Sequence, residues 1–237
     1  MTEGSDLGRR LLAEFVGTAF LLATIIGSGI MATQLTDDVG LQLLANAVAT
    51  GAVLVALILS LGPASGAHFN PAVTLADRLL GGLDNRTAVG YVVVQIAGAV
   101  VGVIVANAMF DLALVEISTK DRTGGHLVVS EVVATLGLLL VIFGVVRSGR
   151  SSVAAFAVGG YITGAYWFTS STSFANPAVT IARELSDTFA GIAPEGVPLF
   201  VAAQLLGAVL AVALVKAIYP RISDVADQVV VPVRADR

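Results

Sequence analysis

Asn70-Pro71-Ala72-Val73-Thr74-Leu75-Ala76 recurs 106 residues downstream as Asn176-Pro177-Ala178-Val179-Thr180-Ile181-Ala182. Asparagine is a favoured helix cap, and proline suits the first helical position, where its missing N–H costs nothing. Each copy therefore starts a helix. Each follows a stretch rich in small residues, 62–69 and 170–175, and leads a short segment, Pro71–Leu80 or residues 177–186. A ten-residue helix is about 15 Å long, half a bilayer. The two copies are expected to be half-helices that enter a membrane and stop near its middle.

The chain around them is a membrane protein by composition. Of 237 residues, 56% are hydrophobic and 13% are charged, against about 25% charged in an ordinary soluble domain. Residues 11–31, 41–61, 89–110, 128–146, 152–168 and 197–214 are apolar, broken only by Glu14 in the first and Glu131 in the fourth. Each approaches the ~20 residues that cross a hydrocarbon core as a helix. Arg9 and Arg10 before the first run imitate a signal peptide, but that run is too long and contains Glu14. The net charge of −4 and the lack of a basic run exclude a nucleic-acid partner. With no cysteine and only His68 and His126, no metal site and no cofactor are expected. Ser-His-Asp sets, phosphate loops and dinucleotide fingerprints are absent from the sequence, so no catalytic residue and no enzyme are expected.

Further pairs extend the repeat: Glu14 with Glu131, and Gln95-Ile96-Ala97-Gly98-Ala99 with Gln204-Leu205-Leu206-Gly207-Ala208. Three spans per half make the second half inverted in the membrane. The expected fold is an all-α membrane protein of six transmembrane helices plus two re-entrant half-helices, built as an inverted three-helix repeat. The expected boundaries are an N-terminus at 1–10, a channel domain at 11–219 with halves of about 11–110 and 128–219, and a tail at 220–237. Gly98 with Gly102, and Gly207 with Ala211, form small-residue faces for close helix approach. With six spans, Arg9, Arg10, Arg78, Arg86, Arg147, Arg150, Lys216, Arg221, Arg234 and Arg237 share one side, and Lys120, Arg122 and Arg183 the other. That bias puts both termini in the cytoplasm of a multi-pass protein of the inner (plasma) membrane.

A mechanism follows from the repeat. Two helix N-termini meeting at mid-membrane carry positive partial charge that opposes cations. The amides of Asn70 and Asn176 are free to donate, and loop carbonyls accept, which suits a small neutral hydroxylic solute in single file. His68, two residues before Asn70, is expected at the cytoplasmic pore mouth. Arg183, one helical turn past Val179, either stands at the outer mouth or pairs with Glu184, Asp187 or the loop. Trp167 fits an interfacial anchor, and His126 an ordinary loop residue.

The segments Ser65-Gly66-Ala67-His68-Phe69-Asn70-Pro71-Ala72-Val73-Thr74 and Ala13-Glu14-Phe15-Val16-Gly17-Thr18 resemble the signatures of the major intrinsic protein family, the aquaporins and aquaglyceroporins. The resemblance spans Arg10 to about Tyr219. It implies a homotetramer with one pore per protomer, pore motifs at Asn70, Pro71, Ala72, Asn176, Pro177 and Ala178, and bracing of the re-entrant loops by Glu14 and Glu131. Family spacing puts the outer selectivity filter at Thr50, Gly164, Ser173 and Val179. Most members have arginine where Val179 stands. Four small uncharged residues imply a wide constriction without a fixed cation. This pattern is similar to a bacterial branch associated with arsenic resistance, so the implied solutes are arsenite, small polyols such as glycerol, and water. The alternatives are a general water or glycerol channel with a relaxed filter, a proton-coupled transporter using Glu14 or Glu131, and a structural membrane protein with a closed pore.

Overall fold

The computed structural model describes residues 3–220, so the expected tail lies almost entirely outside the described residues. Eight α-helices account for most of it: α1 (Glu3–Leu35), α2 (Val39–Ser65), α3 (Pro71–Leu80), α4 (Asn85–Met109), α5 (Gly125–Arg147), α6 (Ala154–Phe168), α7 (Pro177–Ala182) and α8 (Val197–Ile218). There is no strand among the described residues. Five helices, α1, α2, α4, α5 and α8, are long and apolar enough to cross a membrane.

The sixth expected span, residues 152–168, is shorter than its neighbours. It is the fifteen-residue α6 preceded by a 3-10 turn, Ser151–Val153. It packs against α2 and α5 like a full span. The second half-helix also departs from expectation. Residues 177–186 are α-helical only to Ala182, followed by a 3-10 turn, Arg183–Leu185. The first half-helix, α3, has its full ten residues and ends at Gly81, whose φ of 97° suits a residue without Cβ. α2 continues through Pro63 into the stretch read as loop and stops at Gly66, φ 88°.

The packing repeats as the sequence does. α1 lies along α4, and α5 along α8; α2 flanks α1, and α6 flanks α5. The half-helices cross over, α3 touching α8 and α7 touching α4. Small residues permit the two tight crossings. A Cβ on Gly98 or Gly102 would run into the Phe15 or Ala19 carbonyl of α1, and one on Gly207 into the Val132 carbonyl of α5. Such contacts let helix backbones approach where lipid supplies no hydrophobic drive for association. The outer surface carries Phe20, Val48, Leu59, Val93, Phe156, Phe168, Leu206 and Val209, all exposed, as a lipid-facing belt requires. Trp167 is exposed near the end of α6, and His126 is exposed at the start of α5.

Candidate functional site

The two Asn-Pro-Ala segments meet inside the molecule. Asn70 caps α3, its Oδ1 accepting from Ala72 N at 2.8 Å. Asn176 caps α7, accepting from Ala178 N at 3.0 Å and Val179 N at 3.3 Å. The other end of each amide crosses to the opposite loop. Asn70 Nδ2 donates to Ala175 O, and Asn176 Nδ2 to Phe69 O, both at 2.8 Å. Each asparagine thus fixes the carbonyl just before its twin. The sequence leads to the expectation of free amides; instead one N–H of each Nδ2 is committed to a loop carbonyl, and the second has no partner among the described residues.

The loops before the asparagines share an unusual backbone. Ala67 and Phe69 in the first, and Ser173 and Ala175 in the second, have φ between 47° and 52°. These are the positions three and one before each asparagine. Non-glycine residues in the left-handed region cost energy and persist only where the surroundings hold them. Two buried glutamates do the holding. Glu14 accepts from Ser65 Oγ at 2.6 Å, His68 N at 3.0 Å, Phe69 N at 2.7 Å and Gln95 Nε2 at 2.8 Å. Glu131 accepts from Phe174 N at 2.9 Å, Ala175 N at 2.8 Å and Gln204 Nε2 at 2.6 Å. The glutamines are steadied in turn by Thr74 and Thr180 on the half-helices.

Between the loops runs a narrow cavity of about 50 Å³, lined by apolar residues including Leu21, Leu54, Leu138 and Ile142 and by a smaller set of polar ones. Asn70 and Asn176 face it, as does His68, which is buried with Nδ1 3.1 Å from Thr74 Oγ1 and Nε2 3.6 Å from Asp77 Oδ2. Glu14 and Glu131 are not among the lining residues.

Of the four residues expected at the filter, Thr50, Ser173 and Val179 line the cavity and Gly164 does not. Gly164 lies on the outer face of α6, where a Cβ would meet nothing. The residues that α6 sends inward are Val158, Ile162 and Tyr166. These are spaced by four, so they share one face, and Gly164 falls between them on the other. Tyr166 was missed from the sequence although that spacing was visible. Its hydroxyl lies 3.1 Å from Thr50 Oγ1.

A second correction concerns charge. Val179 leaves no cation beside Asn176, but Arg183, one turn on, fills the space. Its side chain is buried, lines the cavity, lies over the Phe174 ring at 3.4 Å and donates from Nε to Ala190 O. No ion pair with Glu184 or Asp187 forms; of the partners expected, the loop is the one found. The sequence leads to the expectation of a lining without a fixed cation; Tyr166 and Arg183 are both among the residues that line the cavity.

A family model described as "Major intrinsic protein" matches residues 1–173 and 153–235. The chain belongs to the major intrinsic protein family. Members are membrane channels and not enzymes, and the long apolar helices make this chain an integral membrane protein. It is 53% identical to aquaglyceroporin AqpS of Rhizobium meliloti (strain 1021) over 89% of this chain and 90% of that protein. It is 31% identical to the probable aquaporin AqpM of Archaeoglobus fulgidus over 86% and 94%. Among solved structures, the aquaglyceroporin from Plasmodium falciparum superposes with a TM-score of 0.67 at 22% identity, covering 91% of this chain and 98% of that one. That likeness concerns the fold.

Proposed function

We propose that the cavity is the conducting path of a passive channel for small neutral hydroxylic solutes: water, glycerol and trihydroxy arsenic(III), the neutral form of arsenite. The observation that carries this is the reciprocal pair of asparagines. Each leaves one N–H for a narrow cavity whose lining is otherwise largely apolar, so a solute keeps a hydrogen bond at the centre while water chains are constrained. The helix starts at Pro71 and Pro177 add positive partial charge there and oppose cations. The similarity to a protein named aquaglyceroporin supports polyols as solutes. Neutral arsenite is a compact polyol mimic, and Thr50, Ser173 and Val179 contribute short side chains to the lining. Asn70, Pro71, Ala72, Asn176, Pro177 and Ala178 form the central station. Thr50, Ser173, Val179 and Tyr166 form the outer filter, with Arg183 at the outer mouth and His68 at the cytoplasmic one. The protein works as a homotetramer in the plasma membrane with both termini cytoplasmic, as the bias of basic residues suggests.

Coupled transport would need an ionisable group on the path that changes charge. Glu14 and Glu131 are off the path and fully engaged with loop donors. The test is stopped-flow permeability of reconstituted vesicles to water, glycerol, urea and arsenite, measured side by side with and without a proton gradient. Flux of water, glycerol and arsenite that ignores the proton gradient is expected. Accumulation that collapses with the gradient would overturn the channel reading.

A further inference from the structure

Three cations converge on the mouth that the preceding reading places outside. Arg183 is 2% exposed and lines the cavity. Arg122 lies over the same Phe174 ring at 4.9 Å, bonded through Nε to Gly191 O at 2.8 Å and through Nη1 to Ser171 O at 3.3 Å. Lys120 donates to Phe189 O at 2.6 Å and lies over that ring at 4.6 Å. All three are held by carbonyl oxygens and aromatic faces, and none has a carboxylate within ion-pair distance among the described residues. The acids nearby are committed elsewhere. Glu131 serves the loop and Gln204, and Asp187 accepts from Thr119 N and Oγ1.

Buried charges are ordinarily paired, because an unpaired one forfeits its hydration. Arg183 breaks that rule and has a second guanidinium nearby. Its two Nη groups donate to nothing among the described residues, so they face the cavity with hydrogens to spare. An independent observation points to the same place. Ser173 is among the lining residues, and its buried Oγ has no hydrogen-bond partner among the described residues. A guanidinium fork at the cavity, beside a lining serine whose hydroxyl is unsatisfied, matches the oxygens of a small planar anion. Lys120 records the crowding: burial first, then repulsion by Arg122 and Arg183, pushes it down to about 8.

We propose that the outer mouth is a binding site for a small monovalent planar oxyanion, of the nitrate or short-carboxylate class, held by Arg183 and Ser173 with Arg122 and Lys120 contributing charge. An anion there sits in the cavity and excludes a solute from it, a consequence that rests on the cavity being the path.

Nitrate is a suitable probe because it does not protonate near neutral pH. Purified protein is titrated with sodium nitrate against sodium gluconate, too bulky for the cavity, at constant ionic strength, and the melting temperature is followed. A saturable rise with nitrate alone is expected. Arg183→Gln should weaken the apparent affinity at least tenfold, and Lys120→Gln, on the accessible rim, about threefold or less. Arg183→Lys, which keeps a charge, covers the case in which Arg183→Gln does not fold and should retain part of the rise. Equal responses to both salts, or an unchanged nitrate response in Arg183→Gln or, failing that, an unchanged one in Lys120→Gln together with Arg122→Gln, would overturn the site. Vesicle water flux is read in parallel. Nitrate binding that leaves water flux untouched would uphold the site and refute the cavity as the path.

Discussion

Asn176 does three things with one amide: it caps α7, fixes the Phe69 carbonyl, and keeps an N–H for the cavity. In the proposed path its neighbours set which solutes pass. Val179→Arg would add a third guanidinium to the Arg122 and Arg183 already there. The long side chain narrows the mouth, and its fixed fork favours solutes that match it. The arsenite-to-water permeability ratio is expected to fall in Val179→Arg, measured in the same vesicles as the parent; an unchanged or higher ratio would remove Val179 from the filter. Gly164 offers the complementary check. Gly164→Ala meets open space and should raise helix stability by up to about 1 kcal/mol. Water and glycerol flux should stay within twofold of the parent, since the position faces away from the cavity. Counting back from Asn176 chose Gly164 because the length of the loop after α6 is not legible from spacing. The face of α6 was legible, in the four-residue rhythm of Val158, Ile162 and Tyr166. Arg183 was harder to place. Its position depends on α7 giving way to a 3-10 turn after Ala182 and on the loop folding back to present Ala190 O, and neither is a local property of the sequence.

At the scale of elements, two short loops with left-handed residues are held by two glutamates that sit in long apolar helices. Ionisable groups inside membrane spans are costly and are kept for a purpose. Here the purpose is to accept loop N–H groups that no helix or strand can satisfy. Glu131→Leu would strip the partners from Phe174 N, Ala175 N and Gln204 Nε2. An orphaned buried donor costs about 1–3 kcal/mol, so the loss should be on the order of 3 kcal/mol or more. A sharply lower melting temperature is expected, with Glu131→Gln intermediate because it keeps one acceptor oxygen. A melting temperature within a degree of the parent for Glu131→Leu would mean the loop is held by other contacts. The positions of Glu14, Glu131, Gln95 and Gln204 were legible through the repeat, because duplicated polar residues in apolar spans mark duplicated duties. The unequal half-helices were not legible, since identical starts at Pro71 and Pro177 say nothing about where each helix stops. Gly81 ends α3 with a positive φ, and α7 has no glycine in that place.

Across the whole molecule, charge is distributed unevenly, and one consequence is measurable. Lys120 is a surface-loop residue whose folded form gives up its proton near pH 8, against about 10.4 for an unperturbed lysine. Between those values the unfolded chain binds more protons than the folded one, so stability rises with pH across that window. Lys120→Gln should flatten the rise in melting temperature between pH 8 and 10; an identical slope in both proteins would assign it to another group. The larger claim concerns the two inverted halves, which bring Asn70 and Asn176, 106 residues apart, to one cavity. Its most direct test is stopped-flow water and glycerol permeability of vesicles carrying folded parent, Asn70→Leu or Asn176→Leu at matched protein density. Either change removes a donor facing the cavity and frees the opposite carbonyl, leaving a passing solute incompletely hydrogen-bonded at a cost of about 1–3 kcal/mol. The account predicts that both variants lose most of the glycerol flux, at least fivefold, and much of the water flux. Parent-like permeability in both correctly folded variants would contradict it.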